Sequence, residues 1–413
     1  MPPRIDTASR SVDLGPHDPA FLQNPYAAYS EIRAKCPVFF WRDYGFWCLA
    51  AHEDVAALFR DKRFGRQVLH VASRAQLGWP PQQDHMAPFN AVERHSLLEL
   101  EPPDHTRLRK LINRAFVSRQ VERLRPRIAL LAHKLIDTFE GEERSDLITA
   151  FATPIPVHII AELLGIAPEM APYLLDWSHK MVAMYQFGRN RASEDTAVQA
   201  TQEFVAFIRT EIAARRGSPR DDLLSELIQA EADGERLSED EMISTVILLL
   251  NAGHEASVHA IGNGVKALLE AETDTTAAFA SPDTVAATVE ELLRLDPPLH
   301  MFTRYALEPV RLHGIDFRLG DKVGLLLGAA NRDPKRFPDP DRLNPARGNA
   351  ANHVSFGGGI HFCVGAPLAR LELQTALPIL FSRLPHLKLA AHPQYRDNYH
   401  FHGLERLDVI LHR

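Results

Sequence analysis

The stretch from Phe356 to Arg370 dictates its own local structure more strictly than any other part of the chain. Three consecutive glycines, Gly357 to Gly359, free the backbone to turn tightly and to approach a flat ligand closely. Pro367 suits a first helical turn, where its missing N–H would have had no partner. The spacing therefore predicts a loop that presents Cys363 and then opens into a helix. Unpaired amides and the positive dipole end of that helix favour a thiolate at Cys363, which is the form that ligates iron. A cysteine near glycines, taken singly, is more often a small buried hydrophobe. The rest of the pattern decides between the two.

Glu239 to Glu270 reads as one long helix, with Ser238 as its cap and Glu241 three residues on. Apolar residues on every side of Val246 to Leu250 predict burial. The small pair Ala252-Gly253 then leaves room beside the helix, and Glu255 follows. An unpartnered carboxylate is expensive to bury, so stability alone explains Glu255 poorly.

Two further segments carry patterned charge. In Pro102-Pro103-Asp104-His105-Thr106-Arg107-Leu108-Arg109, Asp104 is a candidate cap, and His105 and Arg109 project from one helical face, an arrangement suited to carboxylate binding. A solvated basic face is the ordinary alternative. Glu291 and Arg294 share a face in the same way, which by itself is a weak signal.

Together these segments resemble the cytochrome P450 family. F-G-x-G-x-H-x-C-x-G followed by A-x-x-x-A-R is similar to its haem-binding loop, P-P-x-H-x-x-x-R to the start of its third helix, A-G-x-E to its oxygen-binding groove, and E-x-x-R to its structural ion-pair motif. The resemblance runs from about residue 20 to the end and implies a mainly α fold, a large helical domain with a small β-rich lobe. On this reading residues 1–20 are an irregular N-terminal segment and 21–413 a single domain.

The resemblance also implies heme b as cofactor, with Cys363 as the proximal iron ligand. Phe356 packs near its sulfur, Gly365 belongs to the same loop, and His105, Arg109, Arg304 and His361 anchor the propionates. Glu255 feeds protons towards dioxygen. The family usually has Thr directly after that acid, whereas this chain has Ala256 there and Ser257 one residue later, about 100° around the helix. Ser257 is therefore expected to substitute only in part. Arg342 and Arg347 are both candidates to complete the Glu291–Arg294 pair. Leu248, Asn251, Ala252, Leu299, His300 and Phe302 are expected to line a pocket for a small, mostly apolar substrate. Met181, Met184, Tyr185 and Phe187 are expected in its roof.

The implied activity is monooxygenation with O2, with electrons from a ferredoxin or flavodoxin-type donor and its reductase, because 413 residues leave no room for a redox module beside such a fold. A peroxide-driven peroxygenase and a non-catalytic haem-thiolate sensor are the rival readings. A net charge of −7 argues against nucleic-acid binding through overall charge. The cations Arg107, Lys110, Arg114, Arg119, Arg123, Arg125 and Arg127, opposed only by Glu122, form a local patch expected to attract an acidic partner. Three cysteines and no apolar leader suggest a reducing cytoplasm. The longest aliphatic run, Val246 to Leu250, is too short to be a membrane anchor.

Overall fold

The structure is a computed structural model that describes residues 2–115, 121–185, 189–232 and 234–412. Its principal helices, in chain order, are α1 (Pro25–Lys35), α2 (His52–Leu58), α3 (Asp104–Ala115), α4 (Arg125–Phe139), α5 (Pro154–Leu163), α6 (Ala171–Val182), α7 (Arg191–Gly217), α8 (Glu239–Glu270), α9 (Pro282–Leu295) and α10 (Ala366–Arg383). Local chemistry sets their limits. Pro25, Pro282 and Pro367 each occupy a first helical turn, where no amide is missed. Asn190 with Ser193 and Ser281 with Thr284 form reciprocal caps at the starts of α7 and α9. At α8 the Ser238 amide donates to Glu241 Oε2 at 2.8 Å and the Glu241 amide to Ser238 Oγ at 3.2 Å. Arg119 and Phe187, assigned above to the basic patch and the pocket roof, lie outside the described residues.

The chain forms two compact units, between which residues 21–413 are divided. One comprises residues 1–68, 128–153 and 256–413. It holds a seven-stranded sheet built from β1 (Arg4–Asp6), β2 (Ser11–Asp13), β3 (Val38–Trp41), β4 (Phe46–Leu49), β5 (Phe64–Gly65), β6 (Met301–Ala306) and β7 (Lys322–Leu326), in the order β1-β2-β3-β4-β7-β6-β5. The β3–β4 hairpin closes with Trp41 opposite Phe46, as the aromatic alternation predicts. Residues 1–20 differ from the irregular segment expected. β1 and β2 pair antiparallel and β2 continues onto β3, because Val12 and Leu14 bury against Phe21, Phe39 and Trp41. That apolar seat outweighs the low strand propensity of Asp6 and Asp13.

The other unit comprises residues 69–127 and 154–255 and is mainly helical. Trp177 on α6 meets Phe204 and Phe207 of α7 at centroid distances of 5.1 and 5.7 Å, which fixes that helix pair. The expected basic patch is largely neutralised here. Arg107 pairs with Glu235 and Glu241, Arg123 with Asp221, Arg125 with Glu122 and Arg127 with Glu162. Sequence spacing placed the cations and Glu122 side by side but not the other carboxylates, which come from distant segments. Among the described residues, no helix is long and apolar enough to cross a membrane.

Candidate functional site

The cysteine loop folds as its composition requires. Gly357 and Gly359 take φ of 71° and 66°, a region that disfavours side chains. A Cβ on Gly359 would stand 2.1 Å from the Phe59 carbonyl oxygen. The loop is thus pressed against the end of α2. The Cys363 amide donates to the Phe356 carbonyl at 3.0 Å, closing a turn that leaves the Cys363 side chain exposed just before α10. A Cβ on Gly365 would meet only the Cys363 sulfur, at 3.8 Å.

The frame beneath this loop is ionic. Arg370 lies over the Phe356 ring at 4.6 Å and donates to both oxygens of Glu290 at 2.6 and 2.9 Å. Burial would raise the Glu290 carboxyl, but Arg370 and His353 hold it down at about 2. On the next residue, Glu291 accepts from Arg294 at 2.7 and 2.8 Å and from Arg347 Nε at 3.1 and 3.2 Å. Arg347 therefore completes the ion-pair motif, while Arg342 contributes its backbone carbonyl.

Of the other predicted residues, His361 is half-buried at the end of a tight turn over Gly359–His361. Arg304 is buried on β6, donates to the Thr303 carbonyl at 2.9 Å and stacks over Phe59 at 5.1 Å. Phe302 meets the Phe59 ring edge-on at 6.2 Å, so Phe59 joins the loop, Arg304 and Phe302. Leu299 is half-buried and bridges to Phe401. His105, buried, and Arg109, half-buried, stand one turn apart on α3. His300 does not share this placement. Its ring is fully buried against Tyr29, at 3.0 Å, in a cluster with Asp296, Tyr26, Tyr399 and His402. Burial costs the Asp296 carboxylate, yet His402, His300 and Tyr26 hold its pKa far below the ordinary value. This cluster ties α1 to the end of α9, a structural task rather than pocket lining.

On α8, Leu248 and Gly253 are half-buried and Ala252 is exposed, a small opening along an otherwise buried helix. The Asn251 amide approaches the Met181 sulfur at 3.7 Å. Glu255 is buried and pairs with His179 of α6 at 3.0 Å. Ser257 turns elsewhere and hydrogen-bonds Glu372 of α10, whose carboxyl is raised by burial to about 8. Glu372 is the residue that sequence reading missed as functional. Its flanking apolar residues, Leu371 and Leu373, were the available signal.

This donor set fits a haem. Burial pushes the Cys36 and Cys48 thiols up, which leaves exposed Cys363 as the one cysteine placed to act as a thiolate ligand. The glycines beside it suit the close approach of a flat group.

Comparison with known proteins agrees. A family model described as cytochrome P450 matches residues 266–393. The chain is 37% identical to the polyketide biosynthesis cytochrome P450 PksS of Bacillus subtilis (strain 168), over 96% of this chain and 98% of that protein. It is 36% identical to the cytochrome P450 monooxygenase PikC of Streptomyces venezuelae, over 94% of this chain and 90% of that one. Among solved structures it is similar to P450BioI in complex with a hexadec-9Z-enoic acid ligated acyl carrier protein, with TM-score 0.87 and 34% identity over 95% of this chain and 100% of that chain.

Proposed function

The chain belongs to the cytochrome P450 family and is a haem b monooxygenase, and we propose that it oxidises a mostly apolar organic substrate with electrons from a separate protein. The observation that carries this reading is Cys363, exposed at the mouth of a glycine turn and directly before α10. When bound, haem with a thiolate ligand supplies oxygen activation. Cys363 holds the iron and Phe356 shields the sulfur. His105, Arg109, Arg304 and His361 act as donors to the propionates, a role that suits charge-assisted hydrogen bonds.

Glu255 takes part in proton delivery, with its carboxylate 3.0 Å from the His179 ring nitrogen. Ser257 of α8, engaged with Glu372 of α10, supplies a hydroxyl–carboxyl pair between the two helices. Leu248, Asn251, Ala252, Leu299 and Phe302 orient the substrate and exclude water from it. The chemistry of PksS and of the P450BioI ligand supports a substrate of polyketide or acyl type, small or carried on a protein. The donor is a ferredoxin or flavodoxin-type protein with its reductase, and the setting a cytoplasm that keeps all three cysteines out of disulfides.

The bond between Ser257 and Glu372 also favours a second reading, a peroxide-driven enzyme, because Ala256 offers no hydroxyl beside Glu255. Comparing turnover with hydrogen peroxide against turnover with donor and reductase separates the two. The central reading is tested by the carbon monoxide complex of the reduced holoprotein. It should show the absorption band peculiar to thiolate ligation, and Cys363→His should abolish that band. Haem-free protein, or an unchanged band in the variant, would refute the assignment. Titration with fatty acids and macrolactones, read as a Soret shift, then identifies the substrate class.

A further inference from the structure

Where α6 passes α8, three metal-ligating side chains converge. His179 closes the last turn of α6, and His254 and Glu255 are neighbours on α8. One ligand atom from each lies within 4.8 Å of the others. His179 Nε2 is 3.0 Å from Glu255 Oε1, and the two imidazoles stand 5.5 Å apart between centroids at 56°.

We propose that His179, His254 and Glu255 form a binding site for a divalent transition-metal cation of the zinc class. Two imidazoles and one carboxylate are the donor types that Zn2+ selects. Ligands at about 2.0–2.2 Å from a tetrahedral ion lie roughly 3.3–3.5 Å from each other. The pair at 3.0 Å stands a few tenths of an ångström inside that spacing, and with all three donors within 4.8 Å of one another a small rotation of the imidazoles would gather them around an ion. The site is open to solvent on one side, since the His179 side chain is 47% exposed while that of Glu255 is 11% exposed. Water from that side completes the coordination. Neighbouring Lys180 is held by Asp176 at 2.6 Å, which keeps its charge off the site.

A cation here would occupy the carboxylate assigned above to proton delivery, so the site would restrain turnover. This consequence alone rests on the haem-enzyme reading. The metal site itself stands on the three side chains.

The test is equilibrium dialysis of chelator-washed holoprotein against Zn2+, followed by X-ray absorption at the zinc edge, which is separate from that of haem iron. The expected result is a zinc ion with imidazole scattering from two histidines and first-shell distances of about 2.0–2.2 Å. His179→Ala and Glu255→Gln should each weaken binding on the order of 100-fold. Undiminished zinc binding in both variants, or a coordination shell lacking imidazole, would overturn the site. Oxygen consumption driven by a surrogate ferredoxin and reductase should then fall in the wild type as zinc fills the site and should not respond to zinc in His254→Ala, which removes a ligand given no part in turnover. If zinc binds with these ligands and oxygen consumption does not change, the control of turnover is wrong and the metal site stands. Absence of the thiolate carbon monoxide band would instead strike the haem reading.

Discussion

Glu290 grips Arg370 through two parallel hydrogen bonds, 2.6 and 2.9 Å long, and so presses the guanidinium onto the ring of Phe356. Phe356 in turn accepts from the amide of Cys363. A carboxylate on α9 thereby sets the position of a sulfur on the loop before α10. The Glu290 carboxyl is lowered to about 2 from an ordinary 4.5. Its contribution is therefore fully present above pH 4.5 and is lost as pH falls through 2. At about 1.4 kcal/mol per pKa unit, that contribution is about 3 kcal/mol. Glu290→Gln should cost about that much in denaturant unfolding at pH 7, and the gap should narrow markedly by pH 3. An equal gap at both pH values would refute the linkage.

Arg347 and Arg342 are separable by experiment. Arg347 donates its guanidinium to fully buried Glu291, whereas Arg342 offers only its carbonyl. Removing one partner of a buried pair costs about 3–5 kcal/mol, since the other charge is stranded. Arg347→Ala should reduce stability by that order and lower the fraction of chains that retain haem. Arg342→Ala should leave both close to wild type. Thermal melts of the two variants, with haem content measured alongside, decide the matter.

The sequence made some of this visible and hid the rest for definable reasons. α8 was legible because Ser238 and Glu241 cap its start and apolar residues surround Val246 to Leu250. The loop around Cys363 was legible for the same reason, since glycines and a proline act locally. His300 is expected in the pocket beside Leu299 and Phe302, yet its ring is claimed by Tyr29 on α1, far away in sequence. β1 and β2 are three residues each, too short to show alternation; β2 exists through pairing with β3, and β1 through pairing with β2. The choice between Arg342 and Arg347 depended on which way each side chain turns, and spacing does not carry that. Long-range partners are what periodicity omits.

Gly359 tests how tightly the loop must fold. Its φ of 66° disfavours any L side chain, and a Cβ there would overlap the Phe59 carbonyl oxygen at 2.1 Å. A left-handed conformation costs about 1–2 kcal/mol for an ordinary residue before the clash is counted. Gly359→Ala should displace the loop from α2 and lower haem occupancy several-fold. Gly348, which has nothing within 4 Å of its Cβ position, should accept Ala without loss. Haem-to-protein absorbance ratios of the two purified variants provide the comparison.

Glu372 gives the opposite pH dependence to Glu290. Its carboxyl is raised by burial from 4.5 to about 8, against the lowering effect of the Ser257 hydroxyl. The folded state therefore keeps a proton that the unfolded chain releases above pH 4.5. Stability must fall as pH rises between these two values, by about 1.4 kcal/mol per pH unit from this group. Glu372→Gln keeps the shape and removes the proton, so the variant should gain on the wild type steadily between pH 5 and pH 8. If the carboxyl is ionised at neutral pH instead, the two proteins will unfold in parallel over that range. In that case Ser257 would be donating to an anion, and a neutral acid within its reach would have to be abandoned as a source of protons.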